Sequence, residues 1–260
     1  MTQQEQSTII ANDALGADIF RITFQAPRIA AEAKPGQFAM VRPDTFMDPL
    51  LRRPFSIHQV IGGNRIQFMY KVVGRGTMAM SRWRPGDTAD IIGPLGSGFD
   101  TTGHGTAILI GGGIGIAPLF FLARTLLLSQ APETVFLLLG ARTADELLPM
   151  AAELALFGLQ LLTATDDGSH GHHGLVTDLI DRVDTTGPVR VFGCGPYPML
   201  RAVAFRCHQH NLPCQLSLET MMACGIGACL GCALPRADHD GFLHVCKDGP
   251  VVDAREVAWK

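Results

Sequence analysis

The sequence predicts an α/β-plus-β chain in three parts: an N-terminal antiparallel β-barrel, a parallel sheet with crossover helices, and a short cysteine-rich segment. Three observations carry this. Short apolar runs separated by turn residues fill residues 1–102. Strand-like and helix-like runs alternate over residues 103–215. Four cysteines, Cys224, Cys229, Cys232 and Cys246, lie in residues 216–260.

In the first part, "IFRITFQA", "GQFAMVRP", "PFSIHQVI", "RIQFMYKVV" and "TADIIG" read as strands, punctuated by "KPG", "GGN" and "RPGD". Such even spacing of strands and turns suits an antiparallel barrel or sandwich. The second part reads "TAILIGG", a helix from Pro118, "TVFLLLGA", a helix over Asp145–Phe157, "LQLLTATDD", a helix over Val176–Val183, then "PVRVFGCG" and a last helix. Strands alternating with helices predict a parallel sheet. The tail is too short for a core of its own unless something staples it.

Composition narrows the class. The 260 residues are 47% hydrophobic and 17% charged, with a net charge of −3, which gives no reason to expect nucleic acid as a partner. The N-terminus "MTQQEQSTIIAND" lacks the basic-then-apolar layout of a secretory signal, and seven cysteines are an odd number. Both point to a reducing, cytoplasmic setting without a disulfide framework. The most apolar stretch, residues 106–128, is broken by Gly111, Gly112, Gly113, Gly115, Pro118 and Arg124. It reads as strand, turn and helix, and no membrane span is expected.

The tail carries the sharpest signal. Cys224, Cys229 and Cys232 form C-x4-C-x2-C, and Cys246 follows at a distance. That is the plant-type [2Fe–2S] spacing. Gly225, Gly227, Ala228 and Gly231 let backbone amides approach the sulfurs. Residues 231–246 read as a hairpin turning around Asp238–Gly241, and a turn centred on His239 would set Cys246 opposite Cys232. A zinc-stapled interaction module is the alternative, but structural zinc favours two C-x2-C knuckles and only one is present. Cys207 and Cys214 fall outside the pattern and read as buried thiols. The loop "SHGHHG", with His170, His172 and His173, reads as solvated rather than metal-binding.

Two glycine-rich strand ends mark a nucleotide crevice. "LIGGGIGIAPL" sets Gly111, Gly113 and Gly115 between a strand and a helix, where amides and the helix N-terminus receive a pyrophosphate. "VFGCGPYPML" sets Cys194, Gly195 and Pro196 at another such end, and Cys194 could approach the ligand there. Arg142 could pair with a 2′-phosphate while Asp145 and Glu146 would oppose one, which leaves the choice of dinucleotide open. In the first part, Pro54 favours an edge position that frees Arg53 to meet an anion, and Gly74, Gly76 and Thr77 precede a short helix.

Together these residues resemble the ferredoxin-reductase-like flavoproteins over nearly the whole chain. Arg53-Pro54-Phe55-Ser56 matches their R-x-Y-S flavin motif, with phenylalanine in place of tyrosine and its hydroxyl lost. Gly74-Arg75-Gly76-Thr77 matches G-x-G-T, residues 111–118 match G-G-G-x-G-x-A-P, and Cys194-Gly195-Pro196 matches C-G-P. Within that superfamily, the cysteine spacing and "VCKDGPV" are similar to the electron-transfer subunits of NAD-linked, two-subunit dihydroorotate dehydrogenases. Leu230-Gly231 departs from their common aromatic-alanine pair. The resemblance implies FAD on residues 1–102, NAD on residues 103–215 and the cluster on residues 216–260. Arg53, Pro54, Phe55 and Ser56, with Met69, Tyr70, Lys71, Gly76 and Thr77, would hold the flavin, Ser56 near the isoalloxazine. The implied partner is an FMN-containing catalytic subunit in a heterotetramer of two of each, acting in pyrimidine biosynthesis. A hydrogenase or sulfur-reducing partner is the alternative within redox enzymes.

Overall fold

Seven antiparallel strands build the first sheet: β1 (Gln3–Ala14), β2 (Ile19–Gln25), β3 (Phe38–Val41), β4 (Arg53–Ser56), β5 (Gln59–Ile61), β6 (Arg65–Lys71) and β7 (Thr88–Leu95). The computed structural model describes residues 1–16, 18–43, 49–129, 132–154, 159–183, 186–237 and 239–260. The strand order is β4-β3-β7-β1-β2-β6-β5, and β4 also packs on β6, so the sheet curls into a half-barrel. Pro54 sits on the edge strand β4, where a missing amide donor breaks no ladder. The run read as a single strand from Pro54 to Ile61 is two strands, interrupted at Ile57-His58.

The longest strand, β1, was not among the strands expected. It alternates inward Glu5, Ser7 and Ile9 with exposed neighbours. Two of those three inward residues are polar, so the period-2 apolar signal is absent. The buried Glu5 carboxylate accepts the Ile29 amide at 3.1 Å and Arg28 Nε at 3.4 Å, which satisfies it inside the fold.

The second sheet contains β8 (Thr106–Gly112), β9 (Thr134–Ala141), β10 (Gln160–Thr165), β11 (His172–His173), β12 (Val189–Cys194) and β13 (Cys214–Ser217), all parallel. Its central strands are apolar throughout because helices cover both faces; Ile108, Leu109 and Ile110 are fully buried. The half-barrel carries two short helices, α1 (Pro27–Glu32) and α2 (Arg75–Met80), and Gly76 and Thr77 lie inside α2 rather than before it. Helix α3 (Ile116–Ser129) starts two residues before Pro118, which falls in its first turn, where a missing amide is harmless. α4 spans Ala144–Leu154, and the expected continuation over residues 155–157 lies outside the described residues. The expected helix near Val176 is a 3-10 turn, Val176–Arg182, and α5 spans Tyr197–Gln209. Among the described residues no helix is long and apolar enough to cross a membrane.

The tail is stapled by the sheets themselves. β14 (Ala233–Pro235) and β15 (Phe242–His244) form a hairpin, and β16 (Val251–Asp253) then joins β13 antiparallel at the edge of the second sheet. Cys232, Leu243, Val245 and Cys246 share one buried cluster with Phe38, Met40 and Leu95 of the first sheet and Leu216 and Leu218 near β13. Both sheets therefore fix where Cys232 and Cys246 lie.

Candidate functional site

A cavity of about 360 Å³ opens where the half-barrel meets the second sheet. Arg53, Pro54, Phe55, Ser56, Met69, Tyr70, Lys71 and Thr77 all line it. Gly76 does not, but its Cα packs on Arg53: a Cβ there would come within 3.1 Å of Nε. A side chain at that position would push the guanidinium away. Phe55 rests edge-on against Tyr70, with centroids 5.8 Å apart, and fills the place of a tyrosine as an apolar wall. The Tyr70 hydroxyl donates to Asn12 Oδ1 at 3.2 Å, and burial pushes its pKa up to about 12, so it stays neutral. Thr220 Oγ1 also faces this cavity region, buried and without a protein partner. An orphaned hydroxyl, aromatic side chains and a guanidinium lining one cavity fit a flavin: a flat ring with polar edges and a pyrophosphate tail.

A second cavity of about 690 Å³ lies along the C-terminal ends of β8, β9, β10 and β12, the place where open α/β sheets bind ligands. Gly113, Gly115, Gly195 and Pro196 line it, together with Gly112, Ile114, Thr177 and Met199. Gly111 stays inside β8, facing Ile116, Leu119 and Leu139. Gly115 touches the backbone of Cys194, and any Cβ there would collide with that carbonyl oxygen. Cys194 itself departs from the expectation that it approaches the ligand. Its side chain is fully buried and does not line the cavity, and burial pushes its thiol well above the ordinary range. The thiol is buried, and Gly195 and Pro196 after it form the wall.

The two cavities meet. Lys71, Ile114 and Glu219 line both. Lys71 Nζ pairs with Glu146 at 3.0 Å and Asp18 at 3.3 Å, tying the half-barrel to α4. Glu219 is solvent-accessible through the cavity space, yet the protein crowding around it raises its carboxyl pKa. Glu219 and Thr220 were missed in the sequence. Their one available signal was position, directly after a strand of the parallel sheet and just before the cysteine loop.

The cysteine loop begins four residues after Thr220. Gly225 and Gly227 adopt φ of +72° and +78°, a conformation that favours glycine. That geometry turns the Gly227 amide onto Cys246 Sγ at 3.1 Å, while the amides of Ile226 and Cys229 point at Cys224 Sγ at 3.5 and 3.4 Å. Leu230, at φ +58°, holds the same left-handed conformation at a cost of about 1–2 kcal/mol. The hairpin register is one residue off the expected one. Ala233 pairs with His244, so Cys232 faces Val245. The turn after β15 corrects this and brings Cys246 Sγ within 3.3 Å of Cys232 Sγ. Asp238, at the expected hairpin turn, lies outside the described residues.

Burial raises the Cys246 thiol to about 12, reinforced by the neighbouring Cys232 sulfur. Burial also acts to raise Cys224, but the amides of Ile226 and Cys229 outweigh it and bring the thiol to about 6. Among the described residues, no three His, Cys, Asp or Glu side chains are grouped as a site for a metal ion. The donor set nevertheless fits an iron–sulfur cluster. Adjacent buried thiolates need iron to offset their charge, and sulfur-directed amides stabilise the anionic ligands.

Comparison with known proteins agrees with this geometry. Residues 219–258 match the family model for the iron-sulfur cluster binding domain of dihydroorotate dehydrogenase B, and residues 109–204 match the oxidoreductase NAD-binding domain. The chain is 38% identical to the dihydroorotate dehydrogenase B (NAD(+)) electron transfer subunit of Geobacillus kaustophilus, over 99% of both chains. It is 36% identical to the corresponding subunit of Desulforamulus reducens, over the full length of both. Among solved structures, an NADH-dependent reduced ferredoxin-NADP oxidoreductase studied for flavin-based electron bifurcation superposes with a TM-score of 0.86 at 29% identity, over 98% of this chain and 90% of that one. A ferredoxin NADP+ reductase from Neisseria gonorrhoeae with bound FAD and NADP shares the fold, with a TM-score of 0.67 at 16% identity over 80% and 91%. From its cysteine loop to its paired cavities, the chain belongs to the family of dihydroorotate dehydrogenase B electron transfer subunits.

Proposed function

We propose that this chain carries electrons from dihydroorotate, oxidised on an FMN-bearing catalytic subunit, to NAD+. Cys224, Cys229, Cys232 and Cys246 would hold the [2Fe–2S] cluster, the smaller cavity FAD and the larger one NAD. The observation that carries this reading is continuity. Met222 lines the flavin cavity two residues before Cys224, and Lys71, Ile114 and Glu219 line both cavities. One unbroken path thus runs from sulfur to flavin to nucleotide.

When bound, the flavin supplies the exchange between single electrons and a hydride. The protein's part is to hold and orient. Arg53 neutralises the FAD pyrophosphate, with the Gly76-Thr77 backbone packed close against it. Thr220 offers its hydroxyl to the ring, and Ser56 lies on the same wall. The glycine turn before α3 receives the dinucleotide pyrophosphate with its amides and the helix N-terminus. Ile114 gives the junction of the two cavities an apolar face, and Phe55 and Tyr70 wall the smaller one.

The partner reading is supported by the surface around the loop. Cys229 is exposed, as are Met221, Ile226 and Leu230. An apolar rim beside a redox centre suits a subunit interface. We place the assembly in the cytoplasm as a heterotetramer of two of each subunit. The test is anaerobic addition of dihydroorotate to the chain co-purified with its catalytic partner. Flavin and cluster absorption should both bleach, and NAD+ should restore them. If neither bleaches, dihydroorotate is not the electron source.

A further inference from the structure

The larger cavity ends, at the edge of β9 and β10, in a cluster of opposite charges. Arg142 follows directly on β9, the strand beside β8 and its glycine turn. In open sheets of this kind, that position carries either an acid for a ribose 2′-hydroxyl or an arginine for a 2′-phosphate. The residue here is the arginine, whereas the related subunits are named for NAD(+).

Glu146 removes the conflict. In the first turn of α4, its carboxylate accepts from Arg142 Nη2, from Nε at 3.2 Å and from the Arg142 backbone amide at 3.4 Å. The same carboxylate takes Lys71 Nζ at 3.0 Å. Lys71 and Arg142 are the cations among the described residues lining this cavity, and one acid engages both. Asp166 stands on the same wall at the end of β10, and the next amide, Asp167 N–H, bonds the Arg142 carbonyl at 3.2 Å.

We propose that Glu146 sets the preference for NAD(H) over NADP(H): by holding Arg142 and Lys71 it denies a 2′-phosphate its counter-charge, and Asp166 repels it. The Arg142 hydrogen bond, aided by Lys71, holds the Glu146 carboxyl down to about 2, so this acid is ionised throughout the neutral range. The inference rests on the larger cavity being the dinucleotide site.

The test uses the flavin- and iron-loaded protein and calorimetric titration with 5′-AMP and adenosine 2′,5′-bisphosphate. The wild type should bind 5′-AMP the more tightly. Glu146→Gln should tighten the bisphosphate about tenfold, the discrimination of one charge-assisted contact, and leave 5′-AMP little changed. Adding Arg142→Ala to that variant should abolish the gain. The ratio of kcat/KM for NADPH over NADH should move in the same order across the three proteins. An unchanged bisphosphate-to-AMP ratio in Glu146→Gln, or a gain that survives the loss of Arg142, overturns the proposal. Failure of 5′-AMP to bind the wild type would instead remove the larger cavity as the dinucleotide site, and the proposal with it.

Discussion

In the cysteine loop, the sulfur contacts among the described residues join groups within residues 224–246, amide to thiol or thiol to thiol. At the meeting of the two cavities, Lys71 comes from the half-barrel, Ile114 from the turn after β8 and Glu219 from the segment after β13. The loop is a local device in its amide-to-sulfur contacts, set by spacing and positive-φ glycines, and is seated on Cys232 and Cys246 in the core the two sheets share. The junction exists only because two sheets pack together. Damage to the loop should therefore be confined to the cluster, whereas damage at the junction should alter flavin and nucleotide without touching iron.

The largest effect should come from Cys232→Ser. Its sulfur is buried beside Cys246, so no solvent ligand can replace it easily. The variant should lose the iron signal and at least about 100-fold in dihydroorotate-to-NAD turnover, more than outer-shell partners cost at metal sites. NADH-driven dye reduction through the flavin should survive. If turnover persists without iron, the local device is not on the electron path.

Arg53→Ala makes the converse cut. Removing one charge-assisted partner of a pyrophosphate should weaken FAD retention about 10- to 100-fold, read as flavin per protein after gel filtration, with iron per protein unchanged. Stoichiometric flavin in the purified variant would show that Arg53 does not carry the pyrophosphate.

The same contrast explains what could be read in advance. Cys224, Cys229 and Cys232, the glycine turns and the Arg53 strand each announce themselves within about a dozen residues, since spacing and turn chemistry are local, and Cys246 needed a hairpin to be joined to them. Glu219 and Thr220 had no such signal, because their meaning depends on which cavity lies beside the end of β13. Strand β1 was hidden for another reason: inward Glu5 and Ser7 break the apolar alternation, and only the Ile29 amide and Arg28 make the acid tolerable there. The hairpin register differed by one residue because the turn after β15, rather than the ladder, brings the sulfurs together.

His58 gives the subtlest test of the packing behind the junction. It is fully buried between the half-barrel and α3, its Nδ1 bonded to the Ala117 carbonyl at 3.0 Å and its ring 4.2 Å from that of Phe120. Ala117 and Pro118, in the first turn of α3, line the smaller cavity. Burial lowers the imidazole to about 4, beyond what its bond to Ala117 can offset. The unfolded chain therefore takes the proton first as pH falls. Stability present above about pH 6.5 is lost progressively down to about pH 4. From the two values, roughly 2 kcal/mol should disappear between pH 7 and pH 5. His58→Asn keeps an N–H for Ala117 but cannot titrate, so its urea midpoint should fall less over that range than the wild type's. Equal pH slopes in the two cofactor-loaded proteins would mean that His58 is protonated in the fold. The Nδ1 bond to Ala117 survives either way, since an imidazolium also donates there, and Arg124 ties α3 to β5 through Gln59 Oε1 at 3.0 Å and the Val60 carbonyl at 3.3 Å.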